Sequence, residues 1–174
     1  MSAPVQYVPS IVIDTVISAL GAFIQPFVGD STQIIRAQVN RVAPPIGSFV
    51  ELTELFMADL EYPREWYDTV NQQRNIIGPK RIEIQADFYG MQSGDWCSAV
   101  KTAFRTPYAV AQFPEGIVPL YTDDGHEAPL MTGEKQYERR WALTCALQFN
   151  PIIVLPQQSA DVLSMNIVEN VEIL

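Results

Sequence analysis

The chain has 174 residues, 48% hydrophobic and 18% charged, with a formal net charge of −9 at pH 7. That length suits one domain, residues 1–174, with an interior large enough to fold without disulfides or metals, and the apolar content excludes a disordered chain. Only three of the eleven basic residues are lysine, which argues against tight binding by neutralising many phosphates yet is compatible with an acidic wall past which a polyanion slides.

The first basic residue is Arg36, so the apolar run "SIVIDTVISALGAFIQPFV" lacks the positive flank of a signal peptide. Asp14 and Pro26 interrupt it below the roughly 20 residues that span a bilayer. A soluble protein made in a cytoplasm, with no membrane partner, is expected. From Ser10 to Ile24 the spacing predicts a helix whose apolar arc takes in Val12, Ile13, Val16, Ile17, Ala19, Leu20, Phe23 and Ile24. Ser10 fits an N-cap and Pro26 a stop. An arc this broad suits a helix between two bodies, either two layers of one domain or a sheet and a neighbouring subunit.

Two β segments follow, roughly Gln33 to Val42 and Phe49 to Met57, with "PPIG" between them as the turn of a hairpin-like pair. The segment "ADLEYPREWYDTVNQQRNIIGP" then fits no period and exceeds the ~12–15 residues usual for an unstructured connection. It reads either as a surface loop or as an arm or extended hairpin, about residues 58–80, that reaches a partner. Tyr62, Trp66 and Tyr67 favour the second, because such side chains anchor interfaces.

"RIEIQADFY" alternates as a strand with Ile82, Ile84, Ala86 and Phe88 on one side and Arg81, Glu83, Gln85 and Asp87 on the other. "SGDWCSAVKTAFR" is a short amphipathic helix with Trp96, Cys97, Val100, Ala103 and Phe104 as its apolar stripe. In "YERRWALTCALQF", Trp141, Leu143, Cys145, Leu147 and Phe149 alternate with polar or small residues, which predicts a long central strand ended by Asn150-Pro151. "ADVLSMNIV" reads as a last strand, before an acidic tail at about residues 169–174. The order of elements predicts an α+β fold: a largely antiparallel, mixed sheet with two helices on one face, plus the arm.

"YTDDGHE" holds the only histidine, His126, flanked by Asp123, Asp124 and Glu127. A metal or general-base site needs convergent ligands, and one histidine cannot make the usual multi-histidine set. Asp124-Gly125 is a strong turn signal, so a polar loop tip is the simpler account. No phosphate-binding loop, dinucleotide fingerprint, HExxH or GxSxG is present. Cys97 and Cys145 fall in the apolar registers of their elements, where thiols are inert packing. No catalytic residue, cofactor or metal ligand is therefore assigned. The remaining alternative to a binding or structural role is a small metal-assisted hydrolase centred on His126. Arg81, Glu83 and Asp87 share the polar face of one strand, and Glu138 and Arg140 that of another. These charges either pair across the sheet or a subunit boundary, or form a solvated face.

The blocks "IIRAQVNRVAPPIGSFVELTEL", "RIEIQADFYG", "AVKTAFR", "VPLYTDD", "GEKQYERRWALTCALQFNP" and "LPQQSADVL", in that order from about Gly21 to Val168, carry a resemblance. They resemble the bacteriophage neck terminator proteins, relatives in fold of the tail terminators; the arm and the last residues are not matched. The resemblance implies a structural virion protein, made in the host cytoplasm and residing in the neck or tail. It implies a homo-oligomeric ring, commonly of six copies, between a head-side connector or collar protein and the tail tube (with a sheath, where one is present). Double-stranded DNA passes through the bore without sequence-specific binding. It also implies that "VPLYTDD" and "EKQYERR" belong to the scaffold. A ring subunit needs two different patches that meet head to tail. Glu138 and Arg140 are expected at one of them, with Tyr62, Trp66 and Tyr67 on the arm touching a neighbour or the adjoining ring. If the arm points inward, Asp59, Glu61, Glu65 and Asp68 line the lumen and repel phosphate. Another tail-completion or tube-associated protein is the alternative within this class.

Overall fold

Strict alternation over ten residues forces Arg140–Phe149 to be a strand whose one face is wholly apolar and whose other is polar or small. Leu143, Cys145 and Leu147 are fully buried on the first, and the strand lies inside the sheet, with neighbours on both edges. The computed structural model describes residues 7–37, 45–128, 130–131 and 137–157. In chain order its elements are α1 (Ile13–Val28), β1 (Gln33–Arg36), β2 (Phe49–Asp59), β3 (Arg64–Asp68), β4 (Gln73–Ile77), β5 (Lys80–Tyr89) and α2 (Ser93–Phe104). There follow α3 (Pro107–Gln112), β6 (Ile117–Thr122), β7 (His126–Glu127), β8 (Leu130–Met131), β9 (Tyr137–Glu138), β10 (Arg140–Phe149) and β11 (Ile152–Pro156).

The main sheet has the order β1-β2-β5-β10-β6, with β7 also on β10, and all its pairings but β1-β2 are antiparallel. Helices α1, α2 and the additional short α3 cover one face. The core joins Val16, Leu20 and Ile24 of α1 and Val100 and Phe104 of α2 to Val50, Ile82, Ile84, Phe88, Leu143 and Leu147 of the sheet. Each such side chain stabilises the fold by about 1.5–3 kcal/mol through removal from water. The predicted apolar faces of β5, β10 and α2 are the ones that pack here. The expected last strand, residues 160–168, and the acidic tail lie outside the described residues.

Three expectations need correction. Ser10 does not cap α1; Val12 holds that position. Ser10 instead brackets Ile152, donating its amide to the Ile152 carbonyl at 2.9 Å and accepting from the Ile152 amide on Oγ at 3.0 Å. Pro26 does not stop the helix but sits in its last turn. Gln25 Nε2 donates to the carbonyls of Gly29 (2.8 Å) and Thr32 (3.1 Å) just beyond the helix end, and Phe27 packs on Phe23 at 5.5 Å, so tertiary contacts hold this last turn although Pro26 gives no amide to it. The actual stop is Gly29, at φ 87°. Finally, β1 and β2 are no hairpin. They run parallel, with Gln33 opposite Phe49, so the segment between them crosses back rather than turning; residues 38–44 within it lie outside the described residues.

The long segment after β2 is a hairpin, β3-β4, to which β11 adds a third strand. The three central strands of the main sheet, β2-β5-β10, thus continue in the same order as β3-β4-β11. Each meets a proline at the crossing: Pro63, Pro79 and Pro151. A proline has no amide hydrogen to give a ladder, so prolines aligned across a sheet make a natural fold line. Two hydrogen bonds stitch it, Leu60 N to the Pro79 carbonyl at 3.0 Å and Gly78 N to the Pro151 carbonyl at 3.3 Å, and the Ser10 bracket ties β11 to the chain before α1. At the hairpin tip, Asp68 Oδ1 accepts from the amides of Val70 (3.0 Å) and Asn71 (3.2 Å), and Gln72 takes φ 51°.

Phe88→Ala empties a fully buried site at the centre of the sheet. It is expected to lower unfolding free energy by about 3–5 kcal/mol in a denaturant titration, whereas Ile46→Ala, at a fully exposed side chain, changes it by less than about 0.5 kcal/mol.

Candidate functional site

The face of the main sheet opposite the helices carries an ionic network. Asp87, only 2% exposed, accepts from Arg140 Nε at 3.0 Å and Nη2 at 2.8 Å, and from Gln85 Nε2 at 2.9 Å on both oxygens. Both oxygens of this buried carboxylate are thus satisfied by donors, one pair of them the bidentate fork of a guanidinium. The Arg140 guanidinium also lies over the Tyr89 ring, at 5.8 Å, and Tyr89 stacks on Phe49 at 4.3 Å. Hydrogen bonding to Asp87 raises the Arg140 pKa. Burial pushes the Tyr89 phenol up to about 12, against the opposing pull of Arg140; its hydroxyl donates to Glu51 Oε2 at 3.3 Å. Farther along, Glu83 accepts from Tyr121 at 3.2 Å and pairs with Arg81 at 3.3 Å.

Of the two pairings open to these charges, the structure makes the one across the sheet. Arg140 binds Asp87 of the neighbouring strand. Glu138 does not share its strand: Arg140 faces Tyr89, the last residue of β5, and the ladder ends where Gly90 (φ 112°) donates its amide to the Arg139 carbonyl at 3.1 Å. Glu138 sits in β9, opposite Leu130 of β8.

On the arm, consecutive residues point to opposite faces. Trp66 lines up with Asn75 and Val154, and both Trp66 and Val154 are exposed. Tyr67 is half-buried on the other face, with its hydroxyl toward the Gln157 carbonyl at 3.4 Å. Tyr62, beside the fold line, is 93% exposed. The arm's carboxylates are partnered within the chain: Asp59 with Lys80, Glu61 with Arg64 at 2.9 Å, and Glu65 with Arg74 at 3.3 Å. Asp68 is committed to the hairpin turn, where the Asn71 side chain lowers its pKa.

The loop holding His126 is bound to β10. Asp123 Oδ1 accepts from the Thr144 amide at 2.7 Å, and Asp123 N donates to the Thr144 carbonyl at 3.1 Å. Asp124 pairs with Lys101, which lowers its pKa. A Cβ on Gly125 would lie 2.4 Å from Cys97 Sγ, so the loop closes against α2 only because that residue is glycine. His126 is exposed on β7, and among the described residues no three His, Cys, Asp or Glu side chains are placed to hold a metal ion. Cys97 and Cys145 are free and buried, and burial pushes both thiols up, Cys97 to about 11. No described helix is long and apolar enough to cross a membrane.

One surface escaped the reading by periodicity. A bulge in the β2-β5 ladder between Glu54 and Phe56 brings Leu55, Phe56 and Met57 to the surface. The available signal was three consecutive large apolar residues in a strand that otherwise alternates.

A solved structure shares the fold. The PVC sheath/tube terminator of an extracellular contractile injection system, in its extended state, aligns with a TM-score of 0.54 at 11% identity, over 95% of this chain and 66% of that one. The fold is therefore that of a tail terminator. A family described as phage neck terminator protein matches residues 14–173, and the chain belongs to that family. The match includes the arm, beyond the reach of the sequence blocks. No curated protein matches the chain. Family and fold are those of structural terminator proteins of the phage neck and tail, which locates this chain in the virion.

Arg140→Leu leaves the Asp87 carboxylate buried without its cation and is expected to cost about 3–5 kcal/mol of stability. Adding Asp87→Asn should recover part of that loss, with a coupling of about 1–3 kcal/mol in a double-mutant cycle. A separate test lies in alkaline solution. The folded phenol of Tyr89 keeps its proton up to about 12 and an unfolded tyrosine only to 10.0, so the folded state holds more protons between those values. Stability should therefore fall as pH rises through that window, and fall less in Tyr89→Phe.

Proposed function

We propose that the chain forms a homo-oligomeric ring, of six copies, at the neck, where it ends the tail and joins it to the head-side connector while double-stranded DNA passes through the bore. The family match over residues 14–173 carries this reading. The fold supports it, since a rigid open sheet with an elbowed extension offers separate surfaces to neighbours around a ring and to a body above or below it. No bond is made or broken in this role, and it needs no cofactor.

The arm is the partner-contacting element. Its exposed face, with Trp66 and Val154, and the neighbouring Tyr62 present aromatic and aliphatic anchors on a three-stranded platform, which is the kind of surface that carries binding energy in interfaces. Glu138 and Arg140 belong to the subunit boundary in this proposal, with Arg140 serving chiefly through the shape that its bond to Asp87 gives the sheet. The four arm carboxylates accompany three cations, so a lumen role for Asp59, Glu61, Glu65 and Asp68 rests on a net charge of only −1 from that segment.

Deleting the protein is expected to leave filled heads and finished tails unjoined in electron micrographs; joined, infectious particles without the polypeptide would refute the role. Trp66→Ala should reduce the fraction of joined particles by about tenfold with little change in the subunit's melting temperature, because the side chain is half exposed in the free chain.

A further inference from the structure

The main sheet is open, and its ends differ. At one end β1 covers only Phe49 to Leu52 of β2, so among the described residues the outer edge of β2 meets no strand from Thr53 onward. The bulge there presents a ridge of Leu55, Phe56 and Met57, 50%, 49% and 41% exposed. At the other end, among the described residues, β6 pairs only with β10 and packs beside α3. Between α3 and β6 runs an apolar groove of about 550 Å³, walled by Val110, Pro119 and Leu120, with Arg105 among its lining residues.

We propose that the ridge of one copy seats in the α3-β6 groove of the next, an edge-to-edge contact of the ring in addition to the Glu138 and Arg140 boundary; the inference rests on the ring reading above. Charge selects the occupant. At the ridge end, among the described residues, Asp14 and Glu54 share Arg36, with Glu54 held only at 3.7 Å, and Arg81 over the Phe56 ring is already paired with Glu83, so the described charges there are net negative. At the groove, Arg105 has no carboxylate within 4 Å among the described residues and acts only from farther off on Asp124, which Lys101 already holds. Ridge against ridge would bring like charges together, whereas ridge against groove brings Glu54 or Asp14 to Arg105. The two patches differ and lie at opposite ends of one sheet, so the contact repeats head to tail and closes when its rotation divides a full turn. An apolar edge that is bulged cannot simply extend into an endless sheet, which favours a defined ring over a fibre.

Particles carrying Met57→Cys together with Leu120→Cys test the contact. These positions lie at opposite ends of the sheet, so a disulfide between them joins different copies, and the native thiols are buried. Mild oxidation is expected to give a ladder of covalent multimers up to the ring number, absent from either single variant. A ring visible at the neck without the ladder overturns this inference and leaves the ring; a neck without this chain overturns both. Arg105→Glu is expected to lower the yield of joined particles by about tenfold, and Glu54→Arg in the same chain to restore most of it. An unchanged yield in Arg105→Glu, or a loss that Glu54→Arg does not repair, overturns the contact.

Discussion

The unbroken register between β5 and β10, from Arg140 opposite Tyr89 to Phe149 opposite Lys80, is the constraint from which the rest of the molecule follows. Side chains in a strand alternate with period two, so a slip of one residue would turn one strand over against the other, either putting Ile82, Ile84 and Phe88 on the polar face with Asp87 under the helices, or Leu143 and Leu147 on the polar face with Arg140 under the helices. The apolar cost of that exchange is shared over a dozen side chains. The ionic cost is concentrated in one pair, because the buried Asp87 finds the Arg140 guanidinium in only one register. The two faces therefore enforce the same register by different means: burial supplies most of the energy, and the bidentate pair penalises the wrong alignment.

The same ladder explains which parts of the fold could be read in the sequence. Strands β5 and β10 and helix α2 announce themselves because each presents a single apolar face to a single layer, so periodicity and burial coincide. Strand β11 hid for the opposite reason. Ile152 to Pro156 has no alternation, and its partner is the arm, whose own residues are all of intermediate burial in β4. The parallel partnership of β1 was invisible because four residues beside a proline-rich segment look alike whether the chain turns or crosses over. Ser10 and Pro26 misled through local rules that tertiary contacts overrode: Ser10 is engaged by Ile152, and the turn holding Pro26 is anchored by Gln25 to the carbonyls beyond the helix end and by Phe27 on Phe23. Among the expected functional residues, Arg140 and Asp87 could be assigned to polar strand faces, but not to each other, until the register between the strands was known.

Acidity takes on a narrower meaning once the pairs are located. A net charge of −9 invites the idea of a negative wall, yet in the arm each of Asp59, Glu61 and Glu65 has a cation beside it and Asp68 serves the turn. Exposed pairs of this kind contribute at most about 1 kcal/mol each to stability and are screened by salt. Their more durable effect is on geometry. Glu65 with Arg74 links the two strands of the hairpin, and Asp59 with Lys80 links the last residue of β2 to the first of β5, just where the strands approach the fold line. The carboxylates of the arm thus hold strand to strand on each side of the proline line, which matters more for presenting Trp66 than the field they create.

The turn at that line is why the prolines matter to an assembling protein. A loop of the arm's length would lose conformational entropy on meeting a partner, about 1–2 kcal/mol for each residue ordered in the contact. Three strands that already pair, turned together at Pro63, Pro79 and Pro151 and stitched by Leu60, Gly78 and Ser10, incur that cost during folding instead. The binding surface is then pre-organised, and the energy of a few exposed anchors goes into association rather than into ordering the arm. A subunit repeated around a ring gains this advantage at every position. The geometry must also be the same in each copy for the ring to close, and an elbow fixed by backbone chemistry provides that uniformity where a flexible arm would not.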